Sequence, residues 1–223
     1  MRSYDQFCSI AKALDVVGDR WSLLIIRELM IRDGLRYTDL RDGLPGIATN
    51  LLADRLRDLE AAGLVRREEA PPPVATTLYH LTDAGVSLRS VLDELSLWGL
   101  QFMPAPAGTE VFRSQWFAFP VAQFLRDHQP DGPRAVIELR AAGTHAALLL
   151  GDDAGQVQLH LGPAGAAPDL ILDGEPRLIL GMFSGLLTPD EAARLGLTVT
   201  GDAGLLSRIL PGADAADPAQ ARS

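Results

Sequence analysis

The stretch from Tyr37 to Leu81 constrains the fold of this chain more than any other. It reads YTDLRDGLPGIATNLLADRLRDLEAAGLVRREEAPPPVATTLYHL. The spacing predicts a short helix over Tyr37–Asp42, a turn at Leu44-Pro45-Gly46, and a longer helix from Ala48 to Ala62. Two short strands follow, with Pro71-Pro72-Pro73 at the tip between them. In the longer helix Leu52, Leu56 and Leu59 recur at i, i+4 and i+7, which makes one buried stripe at the helical period. At 100° per residue Asn50, Asp54, Arg57 and Ala61 fall on the opposite face, with Ala53 at its edge. Helix, turn, helix and two-stranded ribbon together outline a winged helix-turn-helix.

The exposed face carries side chains suited to a major groove. Asn50 can pair bidentately with adenine, and Arg57 can pair with guanine or grip a phosphate. Asp54 repels phosphates; it is placed to orient a neighbouring arginine or to accept from a cytosine amine. Arg36, Arg41, Arg55, Arg66 and Arg67 lie in or beside the same unit, where they hold phosphates or serve as local ion-pair partners. This clustering matters because the whole chain carries a net charge of −9, and a basic footprint is the usual electrostatic sign of nucleic-acid binding. Up to Pro104 there are 12 basic and 15 acidic residues, net −3; the remainder holds 8 and 14, net −6. The acidity is concentrated in the second half.

With 223 residues, 47% hydrophobic and 22% charged, the chain has room for one large or two modest domains, either with enough apolar residues for a real core. No apolar run approaches the roughly 18 residues of a membrane span, and the start MRSYDQFCSI has no apolar signal core. A cytoplasmic location without membrane association is expected. The single cysteine, Cys8, excludes an intrachain disulfide and a cysteine-based zinc cage.

Ahead of the central stretch, a helix is expected over Phe7–Val17 with Ile10, Leu14 and Val17 buried. A second follows from Arg20 to Met30, capped by Asp19 and directed into a core by Trp21, Leu24, Ile25 and Leu29. After the ribbon, Thr82-Asp83-Ala84-Gly85 opens a long amphipathic helix reaching Phe102 or Met103. Its Leu88, Val91, Leu92, Leu95, Trp98 and Phe102 exceed what a small winged domain needs, which points to a homodimer. Pro104–Gly108 reads as a linker. Beyond it, strands are expected over Arg134–Ala142, Ala146–Gly151, Gln156–Leu161, Asp169–Asp173 and Leu197–Thr200, with a turn at Asp152–Gly155. Helices are expected over Gly174–Gly185, from a capping box at Thr188 to Leu195, and from Asp202 to Ile209. The tail from Ala213 frays.

Three segments, Cys8–Arg27 (CSIAKALDVVGDRWSLLIIR), Arg36–Leu64 and Tyr79–Gly85 (YHLTDAG), resemble the HxlR family of bacterial winged-helix regulators. The VGDRW turn, LPGI before the recognition helix and RLRDLEAAGLV occur together in the family's order. The resemblance implies a homodimeric transcription factor on double-stranded DNA. Ala48 stands where such proteins often have a serine cap, so Thr49 is expected to take over and joins Asn50, Arg57, Arg36, Arg41, Arg55, Arg66 and Arg67 as candidate DNA-binding residues. The wing, APPPVATT, lacks the basic residue often found there. Some family members sense oxidants through a cysteine near the N-terminus, and Cys8 occupies that place; Lys12, one turn along, would favour its thiolate. The other reading of Cys8 is a thiol packed under a dimer interface.

Gly174–Leu210 is similar to the end of sterol carrier protein-like domains. That likeness implies an apolar tunnel and makes Phe112, Trp116, Phe117, Phe119, Phe124, Met182 and Phe183 candidate ligand-binding residues for an apolar small-molecule effector; the same residues also suit a plain core. The expected fold class is α+β: a winged helix-turn-helix domain over residues 1–104, a sterol carrier protein-like domain over 109–211, and a tail over 212–223. His80, His128, His145 and His160 lack metal-ligand spacing, and no phosphate loop or nucleotide fingerprint occurs. No metal, cofactor or catalysis is expected. Two alternatives to a ligand-responsive DNA-binding regulator stand: a lipid or small-molecule carrier whose winged module serves dimerisation, and a thiol-based redox regulator acting through Cys8.

Overall fold

The computed structural model describes residues 3–71, 76–103, 110–151, 155–165 and 167–210. Pro72 and Pro73 of the expected wing tip, the expected linker Pro104–Gly108, the expected turn residues Asp152-Asp153-Ala154 and the expected tail lie outside them. Two compact units make up the chain, Met1–Leu97 and Trp98–Ser223. No helix among the described residues is long and apolar enough to cross a membrane.

The first unit runs α1 (Ser9–Val17), α2 (Ser22–Ile31), β1 (Leu35–Arg36), α3 (Tyr37–Gly43), α4 (Thr49–Ala61), β2 (Val65–Glu69), β3 (Thr77–Leu81), α5 (Asp83–Val86) and α6 (Arg89–Gly99), the last two residues of which fall past its boundary. Its sheet is antiparallel with β3 central, and Tyr79 is flanked by Leu35 and Arg67. The strand β1 is an addition to the expected ribbon. Two residues are too few to show the alternation by which a strand is read from sequence. The core is apolar: Ile25, Ile26, Leu29, Leu40, Leu44, Leu52, Leu56 and Leu59 are all essentially sealed from solvent.

Three expectations for this unit need correction. In α1 only Val17 of the predicted stripe is buried, together with Ala11; Ile10 is 70% and Leu14 45% exposed. The helix buries Ala11 and Val17 and leaves Ile10 and Leu14 outward. The α2 helix starts at Ser22, not Arg20. Trp21 adopts φ +85°, left-handed for a bulky residue, a conformation that costs of order 1–3 kcal/mol and persists only where its surroundings dictate it. Asp19 therefore does not cap this helix with its side chain. Leu24 is also exposed, whereas Ile25 and Leu29 are buried as expected. Finally, the long helix after the ribbon is broken. Thr82 caps α5 by accepting the Gly85 amide (3.2 Å), the chain turns at Ser87-Leu88, and α6 follows, extended by a single 3-10 turn over Leu100–Phe102.

The second unit runs from a 3-10 turn at Ser114–Phe117 through α7 (Ala118–Phe124), β4 (Ala135–Ala141), β5 (Thr144–Leu150), β6 (Gln158–Leu161), β7 (Leu170–Asp173), α8 (Pro176–Phe183), α9 (Pro189–Arg194), β8 (Thr198–Gly201) and α10 (Gly204–Ile209). The five-stranded sheet has the order β6-β5-β4-β7-β8; β4 and β7 are parallel and all other neighbours antiparallel. Ala142 (φ +49°) and Gly143 (φ +73°) make the two-residue β4–β5 turn, whose positive dihedrals match the twist of a hairpin. Alternate residues Ile137 and Leu139 of β4, Leu148 and Leu150 of β5, and Leu170 and Leu172 of β7 pack with Phe117, Val121, Leu125, Leu178, Met182, Phe183 and Ile209 in one core. The Thr188 capping box forms as the sequence predicts: Glu191 donates its amide to the Thr188 hydroxyl (3.2 Å), and its carboxylate accepts the Thr188 amide (2.9 Å). Asp202 accepts the Gly204 amide at the start of α10 (2.9 Å).

One buried ion pair closes this unit. Arg208 of α10 donates to both carboxylate oxygens of Asp127 (2.7 Å each) and to the carbonyls of Pro133 and Gln129. Asp127 also accepts the amides of Gln129 and Gly151 (2.9 Å each). The Arg208 hydrogen bonds, aided by those amides, hold the Asp127 carboxyl down at about 2.

Candidate nucleic-acid interface

Leu40 in the middle of α3, Leu44 and Ile47 in the turn, and the Leu52/Leu56/Leu59 stripe of α4 are all buried, which fixes how α4 is presented. Gly46 reaches φ +88° in the turn, a conformation glycine adopts without a Cβ penalty. The Tyr37 hydroxyl donates to the Thr49 carbonyl (2.6 Å) and ties the start of α3 to the start of α4. Ala48 is the N-cap residue and supplies no side-chain cap; Thr49 is the first helical residue and does not replace it.

The α4 side opposite the stripe exposes Thr49, Asn50, Asp54, Arg57 and Ala61. On it Arg57 Nη2 is ion-paired with Asp54 Oδ1, one turn back, and their side chains are 71% and 51% exposed. Arg55 points elsewhere. Its guanidinium, only 20% exposed, bridges Asp19 of the α1–α2 corner and Asp58 (3.0 Å). Of the two roles open to Arg55, the geometry realises the ion-pair partner. Asp19 is thereby a residue that sequence reasoning placed in the wrong role. A helix-start aspartate is the usual cap signal, whereas a partner 36 residues away leaves no local trace.

The remaining cations sit on the flanks. Arg41 is 3.4 Å from Asp42. On β2, Arg66 pairs with Glu68 (2.7 Å) and Arg67 reaches back to Glu60 of α4 (2.8 Å). The Arg66 hydrogen bond pulls the Glu68 carboxyl below its usual range, and the Glu60 hydrogen bond raises Arg67. Arg36 is exposed at the β1–α3 junction and forms no salt bridge among the described residues; its amide donates to Asp39 (3.0 Å). Exposed pairs of this kind contribute at most about 1 kcal/mol, so a phosphate can displace them.

Beside α4 runs a cleft of about 890 Å³, bordered by Ser3, Tyr4 and Leu14, by Asp15 and Asp19, and by Asp54, Arg55, Arg57 and Asp58. Asp15 accepts the Tyr4 amide (2.8 Å) and the Ser3 hydroxyl (3.0 Å). The Tyr4 amide is the main reason its carboxyl lies below the usual value. Carboxylates outnumber guanidinium groups along this flank of the helix.

Elsewhere in the first unit, Cys8 is exposed at the head of α1. Lys12, expected beside its thiol, has its ammonium 3.6 Å from Asp15. Of the candidate ligand residues in the second unit, Phe117, Met182 and Phe183 are sealed in the core, Phe112 and Phe124 are partly buried against it, and Phe119 is buried outside that cluster. Phe112 meets Trp116 and Phe117 with ring centroids 6.2 and 4.9 Å apart, and Phe117 lies 6.1 Å from Phe183. The structure thus brings four of the seven rings and side chains into one continuous contact.

Two helices joined by a buried turn, the second presenting a polar face and followed by a ribbon, define a winged helix-turn-helix DNA-binding unit. Comparison with known proteins narrows this class. The HxlR-like helix-turn-helix family profile matches residues 16–106, and the chain belongs to that family. It is 33% identical over 92 residues to the uncharacterized HTH-type transcriptional regulator YvaP of Bacillus subtilis, covering 41% of this chain and 84% of that one. It is 36% identical over 91 residues to the HTH-type transcriptional regulator YodB of the same organism, covering 40% and 80%. Among solved structures, the reduced form of YodB aligns at 32% identity over 44% of this chain and 96% of its own, with a TM-score of 0.39. Residues 107–223 lie outside the family match.

Proposed function

We propose that this member of the family is a homodimeric, DNA-binding transcriptional regulator modulated by an apolar small molecule. The observation that carries the DNA reading is the solvent-facing side of α4, where Asn50 and Arg57 stand opposite a fully buried leucine stripe. Arg36, Arg41, Arg66 and Arg67 flank that helix and serve as phosphate contacts, while Arg55 anchors it. Val91, Leu95 and Trp98 recur on one side of α6 and are 43%, 41% and 62% exposed, a spacing suited to a partner helix from a second copy.

The effector is assigned to the second unit, taken as a sterol carrier protein-like domain over residues 109–211. The edge of its aromatic cluster, formed by Phe112 and Trp116, offers an apolar wall, and Phe124 is partly buried against the same core. An effector changes DNA affinity only by binding one dimer arrangement better than the other. The exposure of Cys8 favours a second reading, in which oxidation of this thiol modulates the dimer. Cys8→Ser then abolishes an oxidant response and leaves DNA affinity intact.

The primary test is a gel shift on the DNA upstream of the protein's own gene, with Arg57→Ala in parallel and salt varied. A specific wild-type shift that the substitution weakens, and that falls steeply with salt, is the expected result. Salt-insensitive uptake of a fluorescent fatty acid by a folded dimer with no affinity for duplex would instead mark a carrier.

A further inference from the structure

We infer that Asp54 and Arg57 act as a coupled reader of adjacent G·C pairs, Arg57 donating to a guanine and Asp54 accepting from a cytosine amine. Arg57 does not serve as a phosphate grip. This rests on the DNA-binding reading and chooses between the two roles that an exposed arginine can take at a groove.

Three observations carry it. Asp54 and Arg57 are paired on the exposed side of α4, which sets the guanidinium along the helix with a carboxylate beside it. Of the five N–H donors of an arginine, this pair engages one nitrogen and leaves the rest free for guanine O6 and N7. The carboxylate retains its Oδ2 and the outer lone pairs of Oδ1, the acceptors that a cytosine amine requires. Residues three apart rise about 4.5 Å along a helix, comparable with the roughly 3.4 Å between successive base pairs, so a helix lying along the groove can present the two side chains to neighbouring steps.

The surroundings oppose the phosphate role. A phosphate bound to Arg57 would lie against the Asp54 carboxylate and beside the cleft lined by Asp15, Asp19 and Asp58. Asp19 and Asp58 share the single cation Arg55, so even with their partners counted the carboxylates of this flank leave it net negative towards a phosphate, whereas a base edge offering an amine meets no such penalty. Asp54 is consequently a selectivity residue: it lowers affinity for any backbone and is compensated only where a cytosine amine is present.

The test is selection from a random duplex library with wild type, Arg57→Ala and Asp54→Asn, followed by anisotropy on the recovered duplex and on random duplex over a salt series. The wild-type consensus is expected to hold a guanine and a cytosine at neighbouring positions. Arg57→Ala relaxes the guanine position, on the order of tenfold, and leaves the salt slope unchanged. Asp54→Asn relaxes the cytosine position and binds random duplex several-fold more tightly. Both side chains are largely exposed, so the variants keep the wild-type melting temperature. If Arg57→Ala weakens all sequences equally and lowers the salt slope by about one, Arg57 is a phosphate contact; the coupled reader is then wrong and DNA binding stands. Failure of the wild type to enrich any sequence removes the DNA reading itself and this inference with it.

Discussion

Arg208 is enclosed in the second unit with Asp127 as its only carboxylate partner among the described residues. Asp127→Ala leaves that buried cation with carbonyl partners alone, and removal of one member of a buried pair typically costs about 3–5 kcal/mol. Urea denaturation is expected to show a loss of that size in the transition of the second unit. The pair also sets an acid response. Asp127 titrates near 2 in the folded chain and near 3.9 unfolded, so its contribution, about 2 kcal/mol, is complete above the unfolded value. It fades as pH falls from about 4 to about 2. Wild type should therefore lose stability over that window more steeply than Asp127→Asn. A contrast is expected in the first unit. Arg55→Ala removes the tie between α4 and the α1–α2 corner and should cost about 1–3 kcal/mol, whereas Arg57→Ala should leave the melting temperature within error. The sequence distinguishes these two arginines only in part. The helical period separates inward from outward positions, as it did for Leu52, Leu56 and Leu59, but Arg55 lies at the boundary, where a distant Asp19 decides its role.

Elements whose cause is local were legible. The Thr188-Pro189-Asp190-Glu191 run carries its own hydrogen bonds, and the α4 stripe and the Gly46 turn follow from period and backbone freedom alone. The helix after the ribbon was not fully legible, because its interruption at Ser87-Leu88 depends on how α5 meets the sheet. A Cβ on Gly85 would collide with the Leu64 carbonyl, the group that accepts the Thr82 amide (3.0 Å) at the end of β3. Only glycine permits so close an approach at that position. Gly85→Ala is expected to push α5 off the ribbon and destabilise the first unit by about 1–3 kcal/mol, read as a fall in melting temperature. The stripe of α1 was misjudged for a different reason. Periodicity says that Ile10, Leu14 and Val17 share a side but not whether this chain alone can cover it, and here only Ala11 and Val17 of the helix are buried. A similar limit applies to the candidate ligand residues, where aromatic content marks a core without separating wall from filling.

For the whole molecule, the apolar surface on α6 has a consequence for association. On the proposed homodimer, Leu95→Glu places a charge in the Val91/Leu95/Trp98 stripe and is expected to give a monomer in sedimentation where the wild type gives a dimer, and to lower DNA affinity in step. A wild type that sediments as a monomer would reject the proposed homodimer, and a dimer unchanged by the substitution would place its contact away from this stripe. The parallel pairing of β4 with β7 bears on how the chain reaches this structure. Ile137 lies opposite Leu170 across two intervening strands, so the chain between them must be enclosed before that contact forms. In the second unit the Asp127–Arg208 pair joins residues 81 apart, whereas the His80–Asp33 contact of the first unit spans 47. Folding rates fall as such separations grow, and stopped-flow refolding should resolve a fast phase from the first unit and a slower one from the second. During synthesis the DNA-binding half would then be complete while the sheet that follows is still unpaired, leaving an interval in which β4 and β5 depend on the rest of the chain for cover.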